Sequence, residues 1–171
     1  GVLNYEITTA GVCSDAPVTL KILDADGKCQ AESTGTAGQL RIPRVHLWWP
    51  YPGMPYLYKA EVHYGEDTYT EEFGFRTVEV KGAQFLINGE PFYFKGFSKH
   101  EDSPFHGRGL DLCLDVKDIN LLHWMHANSF RTSHYPYAEE IYQLCDREGI
   151  VIIDETPAVG IGAGSTADPY K

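Results

Sequence analysis

Apolar and polar residues alternate through the first half of the chain. Leu3-Asn-Tyr-Glu-Ile-Thr-Thr and Val18-Thr-Leu-Lys-Ile-Leu-Asp each repeat with the period of two that marks a half-buried strand. Asp26-Gly27 follows the second of these and is a hairpin turn pair. Gln39-Leu-Arg-Ile-Pro, Tyr56 to Tyr64 and Asp67 to Arg76 continue the series. Short strands with turn signals between them predict an immunoglobulin-like β-sandwich over residues 1–80. Gly1-Val-Leu-Asn-Tyr reads as the middle of a strand, so part of the first strand, and any targeting signal before it, is expected upstream. Trp48-Trp49-Pro50-Tyr51-Pro52 breaks the alternation. Its prolines exclude a central strand, which leaves a rigid aromatic loop that either packs or offers a carbohydrate platform.

The pattern changes near Val80-Lys81-Gly82, and residues 81–171 form the second predicted domain. Phe85 to Gly96 reads as a hairpin around Asn88-Gly89, its second arm running into a new strand. Asp115 is placed to N-cap a helix with Val116, Ile119, Leu122 and Met125 on one face. Phe130-Arg131-Thr132 is a short strand. Pro136 opens a second helix, with Ile141, Leu144 and Cys145 inward and Gly149 as its stop. Ile150 to Ile153 is an unbroken apolar run, the pattern of a parallel strand covered on both faces. The order β-α-β-α-β with short connections is the start of an α/β fold. The Gly-rich tail from Pro157, including Gly160-Ile-Gly-Ala-Gly, has no pattern. It lacks the strand–helix setting of a nucleotide loop.

Composition narrows the function classes. The 171 residues carry 43% hydrophobic and 22% charged side chains, ordinary for a soluble globular protein. A net charge of −10 argues against a nucleic-acid partner, which would need clustered Lys and Arg. No apolar run has the length of a membrane span, and no targeting signal opens the chain. A cytoplasmic setting, or a periplasmic one in a bacterium, is compatible with that. Of the four cysteines, Cys145 reads as a buried thiol, while Cys13 and Cys29 are either two free thiols or a pair across two strands.

Candidate chemistry gathers where strands run out. Arg131 faces away from Phe130 and Thr132, and a buried arginine needs a carboxylate or an anion, whether in a structural ion pair or to orient a catalytic group. His134, just past the strand, is either a packed histidine or a donor, acid or base toward a substrate. Lys99-His100-Glu101-Asp102 ends the first strand of the second domain as a binding edge or a solvated turn. Asp154-Glu155 ends the third and either caps a turn or joins a site. Taken alone, the residues offer Glu101 and Glu155 as an acid/base pair. The spacing of His100, Glu101 and His134 is no metal motif, and no metal or other cofactor is expected. Ser133 beside His134 lacks the glycines of a nucleophile elbow.

Asn128-Ser-Phe-Arg131-Thr-Ser-His134-Tyr-Pro136, followed by Ile141-Tyr142, Asp146, Gly149 and four apolar residues, resembles the first signature of glycoside hydrolase family 2. Phe85 to Gly96, Lys99-His-Glu-Asp and Leu47-Trp-Trp-Pro resemble the same family, and the wording from Asn128 to Glu140 is closest to its β-glucuronidase members. The resemblance implies an immunoglobulin-like sandwich followed by about three strands of a TIM (β/α)8 barrel. It implies a retaining enzyme that hydrolyses β-glycosides, most closely β-glucuronides, through a covalent glycosyl-enzyme. Arg131 would orient the nucleophile and His134 would contact the sugar, with His100, Asp102, Asp154 and Glu155 shaping the pocket. The family's Asn-Glu acid/base pair, its nucleophile segment and its Asn-x-Lys element for a glucuronate carboxylate do not occur here, so no catalytic glutamate is expected in this chain. The chain then reads as part of a longer enzyme, inactive alone, whose open edges favour homo-oligomers or association with missing domains. A β-galactosidase-like specificity and a non-catalytic carbohydrate-binding module on the Trp48-Trp49 loop are the alternatives.

Overall fold

The alternating stretches of the first eighty residues fold as antiparallel strands in the computed structural model, which describes residues 1–11 and 15–159. These are β1 (Val2–Glu6), β2 (Thr19–Leu23), β3 (Cys29–Thr34), β4 (Ala37–Arg41), β5 (Tyr58–Tyr64) and β6 (Asp67–Phe73). β1 pairs with β4, and β3-β2-β5-β6 form a four-stranded sheet. Leu20 and Ile22, the inward positions of β2, are buried with Ile42 and Tyr58. Leu3, Tyr5 and Leu40 close over them from the smaller sheet. Burial on one face of each sheet is what the period of two dictates. The Asp26-Gly27 turn forms with Gly27 at φ 78°. Asp24 closes it, its Oδ1 accepting from the amides of Asp26 and Lys28 at 3.0 and 2.9 Å.

Trp48 is only 2% exposed, with the Arg76 guanidinium 4.8 Å over its ring. A Cβ on Gly74 would overlap it. Its place in the aromatic loop is therefore packing, and a platform reading is left with the half-buried Trp49 alone. β7 (Val78–Lys81), β8 (Gln84–Ile87) and β9 (Glu90–Pro91) make a small antiparallel meander. Its Asn88-Gly89 turn, at φ 53° and 81°, has the paired left-handed residues of a two-residue hairpin. The Asn88 amide also donates to Trp48 O at 2.9 Å and accepts from Thr77 N at 2.9 Å. That amide fixes the meander to the sandwich. The contacts accordingly divide the chain after Phe92, later than the change of pattern near Val80–Gly82, into Gly1–Trp49 with Gly53–Phe92, and Pro50–Pro52 with the chain from Tyr93 onward.

The second unit contains β10 (Gly96–Lys99), α1 (Leu112–Trp124), β11 (Ser129–Thr132), α2 (Glu139–Glu148) and β12 (Val151–Ile153). Its strands form a parallel sheet in the order β10-β11-β12. Phe130, Ile119, Leu122, Tyr137, Ile141 and Cys145 make the buried cluster beneath it, and burial pushes the Cys145 thiol up. Tyr51 joins this unit, donating its amide to Gly149 O at 2.8 Å and stacking on His123 at 4.5 Å.

Three expectations are corrected by the structure. α1 is capped by Asp111, whose side chain accepts from Leu114 N at 3.2 Å, not by Asp115. Asp115 lies one turn inside, buried, and its stripe continues through Ile119 and Leu122. Val116 and Met125 fall off that stripe and are 47% and 49% exposed. α2 starts at Glu139 rather than Pro136, because the Tyr137 amide is taken by the Tyr142 hydroxyl at 3.0 Å and Ala138 stays extended. Gly149 ends it in the left-handed conformation, as its sequence position predicts. Among the described residues β12 is an edge strand and is not covered on both faces, with Ile153 45% exposed. Cys29 is a free, exposed thiol. Cys13 and the Gly160-to-Gly164 run lie outside the described residues. No helix among the described residues is long and apolar enough to cross a membrane.

Gly96 admits no side chain, since a Cβ there would run into the Ser129 carbonyl across the ladder. Gly96→Ala is expected to cost at least about 3 kcal/mol in urea denaturation, because backbone on both sides leaves nothing to yield. Gly109→Ala, whose Cβ would meet only His106 O at 3.9 Å, serves as the control and shifts stability by less than about 0.5 kcal/mol.

The Asp111 carboxyl is held below the usual range, first by the Ser103 hydroxyl and then by the Leu114 amide. A depressed carboxyl adds stability above its ordinary pKa and loses it as pH falls through the folded value. Asp111→Ala should therefore lower the urea midpoint at pH 7, with the gap to the parent closing as the medium is acidified below pH ~4. A gap that stays constant with pH would mean that the carboxylate's charge is not what stabilises the helix end.

Candidate functional site

Parallel strands deliver their C-terminal ends to a common edge, and here that edge carries the loops after β10, β11 and β12. Phe130 and Thr132, 1% and 0% exposed, point into the core. Arg131 between them points the other way by the pleat of the strand. Its side chain is 42% exposed, not buried as its setting in the sequence suggests, and its Nε lies 3.1 Å from Glu155 Oε1. Nε itself is shielded from solvent and is not aligned for a hydrogen bond, so the contact is an ion pair. The second oxygen of the same carboxylate, Oε2, meets His134 Nδ1 at 2.9 Å. The His100 ring stands perpendicular to His134 with centroids 5.4 Å apart. Glu155 thus bridges Arg131 and His134, and His100 extends the cluster.

Asp154 and Asp102 stand outside it. Asp154 Oδ1 accepts from Thr132 Oγ1 at 2.9 Å and from the Tyr142 hydroxyl at 2.8 Å. It is thereby turned to the face opposite Glu155. Asp102 is exposed on the loop after β10. Glu101 and Glu155 do not form the pair offered by the sequence: Glu101 Oε1 accepts from Ala138 N at 2.7 Å. Ala138 has no capping side chain of its own, and the unpaired amides and positive dipole end of α2 draw the nearest carboxylate. Lys99 turns toward α1, its Nζ 3.4 Å from Asp115 Oδ1 and 3.1 Å from Asp118 Oδ2. Burial raises the Asp115 carboxyl and Lys99 opposes the rise. Among the described residues no three His, Cys, Asp or Glu side chains converge as a metal site.

Several residues that hold this edge escape a reading of sequence. The buried Tyr137 hydroxyl donates to Lys99 O and accepts from Ser133 N at 3.2 Å, joining the ends of β10 and β11. Burial pushes that phenol up. The Tyr142 phenol is raised for the same reason. Asn128 does comparable work where the strands begin, accepting from Lys95 N at 2.8 Å and donating to Tyr93 O at 3.0 Å. Thr132 Oγ1 also accepts from Glu155 N at 2.9 Å. The one available signal was the tyrosine-rich segment after His134, since a buried tyrosine usually brings its hydroxyl to a partner. Beyond Tyr135, Arg108 lies 3.5 Å over the ring.

The cluster is a set of polar side chains built around one fixed anion. His134 spends Nδ1 on Glu155 and keeps Nε2 for a ligand, and the half-exposed Arg131 keeps its terminal N–H groups. Such a surface suits hydroxyls or an anionic oxygen. It does not contain the facing carboxylates that glycoside hydrolysis requires. A cavity of about 800 Å3 opens in the sandwich unit, but sandwich residues such as Tyr5, Tyr64 and Phe73 line it and none of the candidates does.

A family model described as Glycosyl hydrolases family 2, TIM barrel domain, matches residues 78–169, and one described as Glycosyl hydrolases family 2 matches residues 4–76. The Beta-glucuronidase of Rattus norvegicus is 54% identical over 169 residues, covering 94% of this chain and 26% of the relative. The solved Faecalibacterium prausnitzii Beta-glucuronidase superposes with a TM-score of 0.89 at 56% identity, over 99% of this chain and 28% of that one. A Ruminococcus gnavus β-glucuronidase in complex with D-glucuronic acid gives 0.83 at 44% identity, over 94% and 28%. The chain spans about a quarter of the length of the curated relatives it matches. A sandwich followed by the start of a TIM barrel domain, mostly β and with no closed barrel among the described residues, fits both matches. The chain belongs to glycosyl hydrolases family 2.

Proposed function

We propose that this chain carries one wall of the sugar site of a retaining β-glycoside hydrolase that acts on β-glucuronides. The observation that supports it best is the Glu155 carboxylate bridging Arg131 and His134 at the C-terminal ends of parallel strands. The glucuronidase names of the relatives, and the D-glucuronic acid bound to one of them, point to the sugar. On this reading His134 contacts the sugar through Nε2, which accepts from a sugar hydroxyl in the neutral ring, with His100 beside it. Arg131 orients the nucleophile carboxylate, and Asp102 and Asp154 border the pocket. Glu155 is not the nucleophile; it holds the other two side chains. Hydrolysis itself needs one glutamic acid to protonate the leaving oxygen while a glutamate about 5 Å away attacks the anomeric carbon, and water then releases the sugar. Neither glutamate belongs to this chain.

The same reading makes residues 1–80 an immunoglobulin-like domain and residues 81–171 the beginning of an eight-stranded barrel, with β10, β11 and β12 its first three strands. The outer edges of β10 and β12 and the exposed Leu112, Val116 and Trp124 of α1 are then surfaces for other copies or for complementing segments. The alternative of a carbohydrate-binding module loses support from the burial of Trp48.

The purified 171-residue chain should not turn over a chromogenic β-glucuronide, and turnover abolished by Glu155→Gln would sink this division of labour. Titration with D-glucuronate should show binding that His134→Ala weakens about fivefold or more, the worth of one hydrogen bond. Trp49→Ala should leave it unchanged. The reverse pattern would favour the module. Size-exclusion with light scattering should give a mass above one chain, and a clean monomer at micromolar concentration would count against the association surfaces.

A further inference from the structure

We infer that Thr132 is the positioning residue of the Arg131–Glu155–His134 cluster: its buried hydroxyl fixes the backbone at Glu155 and so aims the carboxylate. The inference rests on reading that cluster as a sugar site. The last registered pair of the β11–β12 ladder is Arg131 with Ile153. Past it the β11–β12 ladder stops, while β11 stays joined to β10 through the Ser133 amide and Lys99 O at 3.0 Å. The amide of Glu155 donates to the Thr132 side chain, Oγ1 accepting it at 2.9 Å. The same hydroxyl donates to Asp154 Oδ1, also at 2.9 Å, so its proton points one way and its lone pair the other.

Three features make this hydroxyl a fixed point. Thr132 is 0% exposed, and a β-branched side chain has little freedom at χ1. Asp154 is held from a second side by the Tyr142 hydroxyl at 2.8 Å. Consecutive side chains on an extended segment face opposite sides, so anchoring Asp154 toward Thr132 sends Glu155 toward Arg131. The ion pairs of Glu155 do not hold it unaided. The Arg131 and His134 side chains are 42% and 38% exposed, and pairs that open to solvent contribute little. The backbone must bring the carboxylate to its partners.

Nuclear magnetic resonance on the whole chain tests this without requiring turnover. Thr132→Val keeps the shape and removes the hydroxyl. It should speed exchange of the Glu155 amide about tenfold, the change for losing a well-made hydrogen bond, and move the Arg131 Nε–H and His134 ring signals toward those of Glu155→Gln. Thr132→Ser should restore all three. Unchanged signals in Thr132→Val overturn the assignment, as does a Thr132→Ser variant as loose as Thr132→Val, since the methyl group rather than the hydroxyl would then be responsible. Should Thr132→Val fail to fold, Asp154→Ala at an exposed position removes the acceptor that orients the hydroxyl. It should loosen the Glu155 amide in the same direction, and unaltered protection there is equally fatal. A D-glucuronate titration separates this from the sugar reading. Binding by the parent that Thr132→Val weakens severalfold supports both. A parent that binds nothing ends the sugar reading and leaves the resonance result on the positioning role standing.

Discussion

Strands that stop side by side leave amides and carbonyls with no ladder partner, and a buried backbone group without one is costly. The second unit depends on how its side chains meet this demand. Thr132 takes Glu155 N, Glu101 takes Ala138 N at the start of α2, and Tyr137 reinforces the last bond between β10 and β11, from Ser133 N to Lys99 O. Asn128 serves the opposite end of the sheet through Lys95 N and Tyr93 O. Asn128 and Thr132 bound β11, while Glu101 and Tyr137 lie in the loops that follow β10 and β11. The polar side chains of the candidate cluster inherit their placement from that stitching.

This division explains which residues remain for ligand. Thr132 and Glu155 are joined through backbone and hydroxyl, Asp154 is turned aside by Tyr142, and Glu101 is spent on a helix terminus. What remains on the cluster's open side is the His134 Nε2, the His100 ring and the terminal N–H groups of Arg131. A carboxylate count alone suggests an acid/base pair. Following each carboxylate to its partner shows one anion holding two donors.

Elements set by local chemistry were legible in the sequence. The Asp26-Gly27 and Asn88-Gly89 turns need positive φ, Gly149 supplies a left-handed helix end, and the period of two marks the inward faces of the sandwich strands. The starts of both helices were not legible, because long-range partners decide them. Asp115 has the chemistry of an N-cap, yet the buried Lys99 amine claims it. Asp111, four residues earlier, is left to the helix end, with Ser103 and His106 Nδ1 on its other oxygen at 2.8 and 3.0 Å. Pro136 has the fixed φ of a first helical residue, but Tyr137 is drawn into the strand ends. At the site, the residue types at strand termini pointed to Arg131, His134, His100, Asp102, Asp154 and Glu155, of which the structure brings Arg131, His134 and Glu155 into contact. Alternation sets Asp154 and Glu155 on opposite sides, but which of them meets Arg131 follows from the Thr132 and Tyr142 hydroxyls that hold Asp154.

Charge pairing on this edge bears on how a glucuronate would be recognised. The chain is acidic, at −10, and two of the cations near the strand ends are already matched: Lys99 by Asp115 and Asp118, Arg131 by Glu155. Arg108 lies on the Tyr135 ring. A polar surface balanced in this way can bind hydroxyls without strongly preferring an anionic sugar over a neutral one. Discrimination for a carboxylate needs a cation whose charge is not already answered, because leaving such a cation unpaired is what penalises the wrong ligand. On the proposed reading this wall therefore orients the sugar ring and the reacting carboxylates. The choice of glucuronate over galactose or mannose falls to residues such as the family's Asn-x-Lys element, which this chain does not contain.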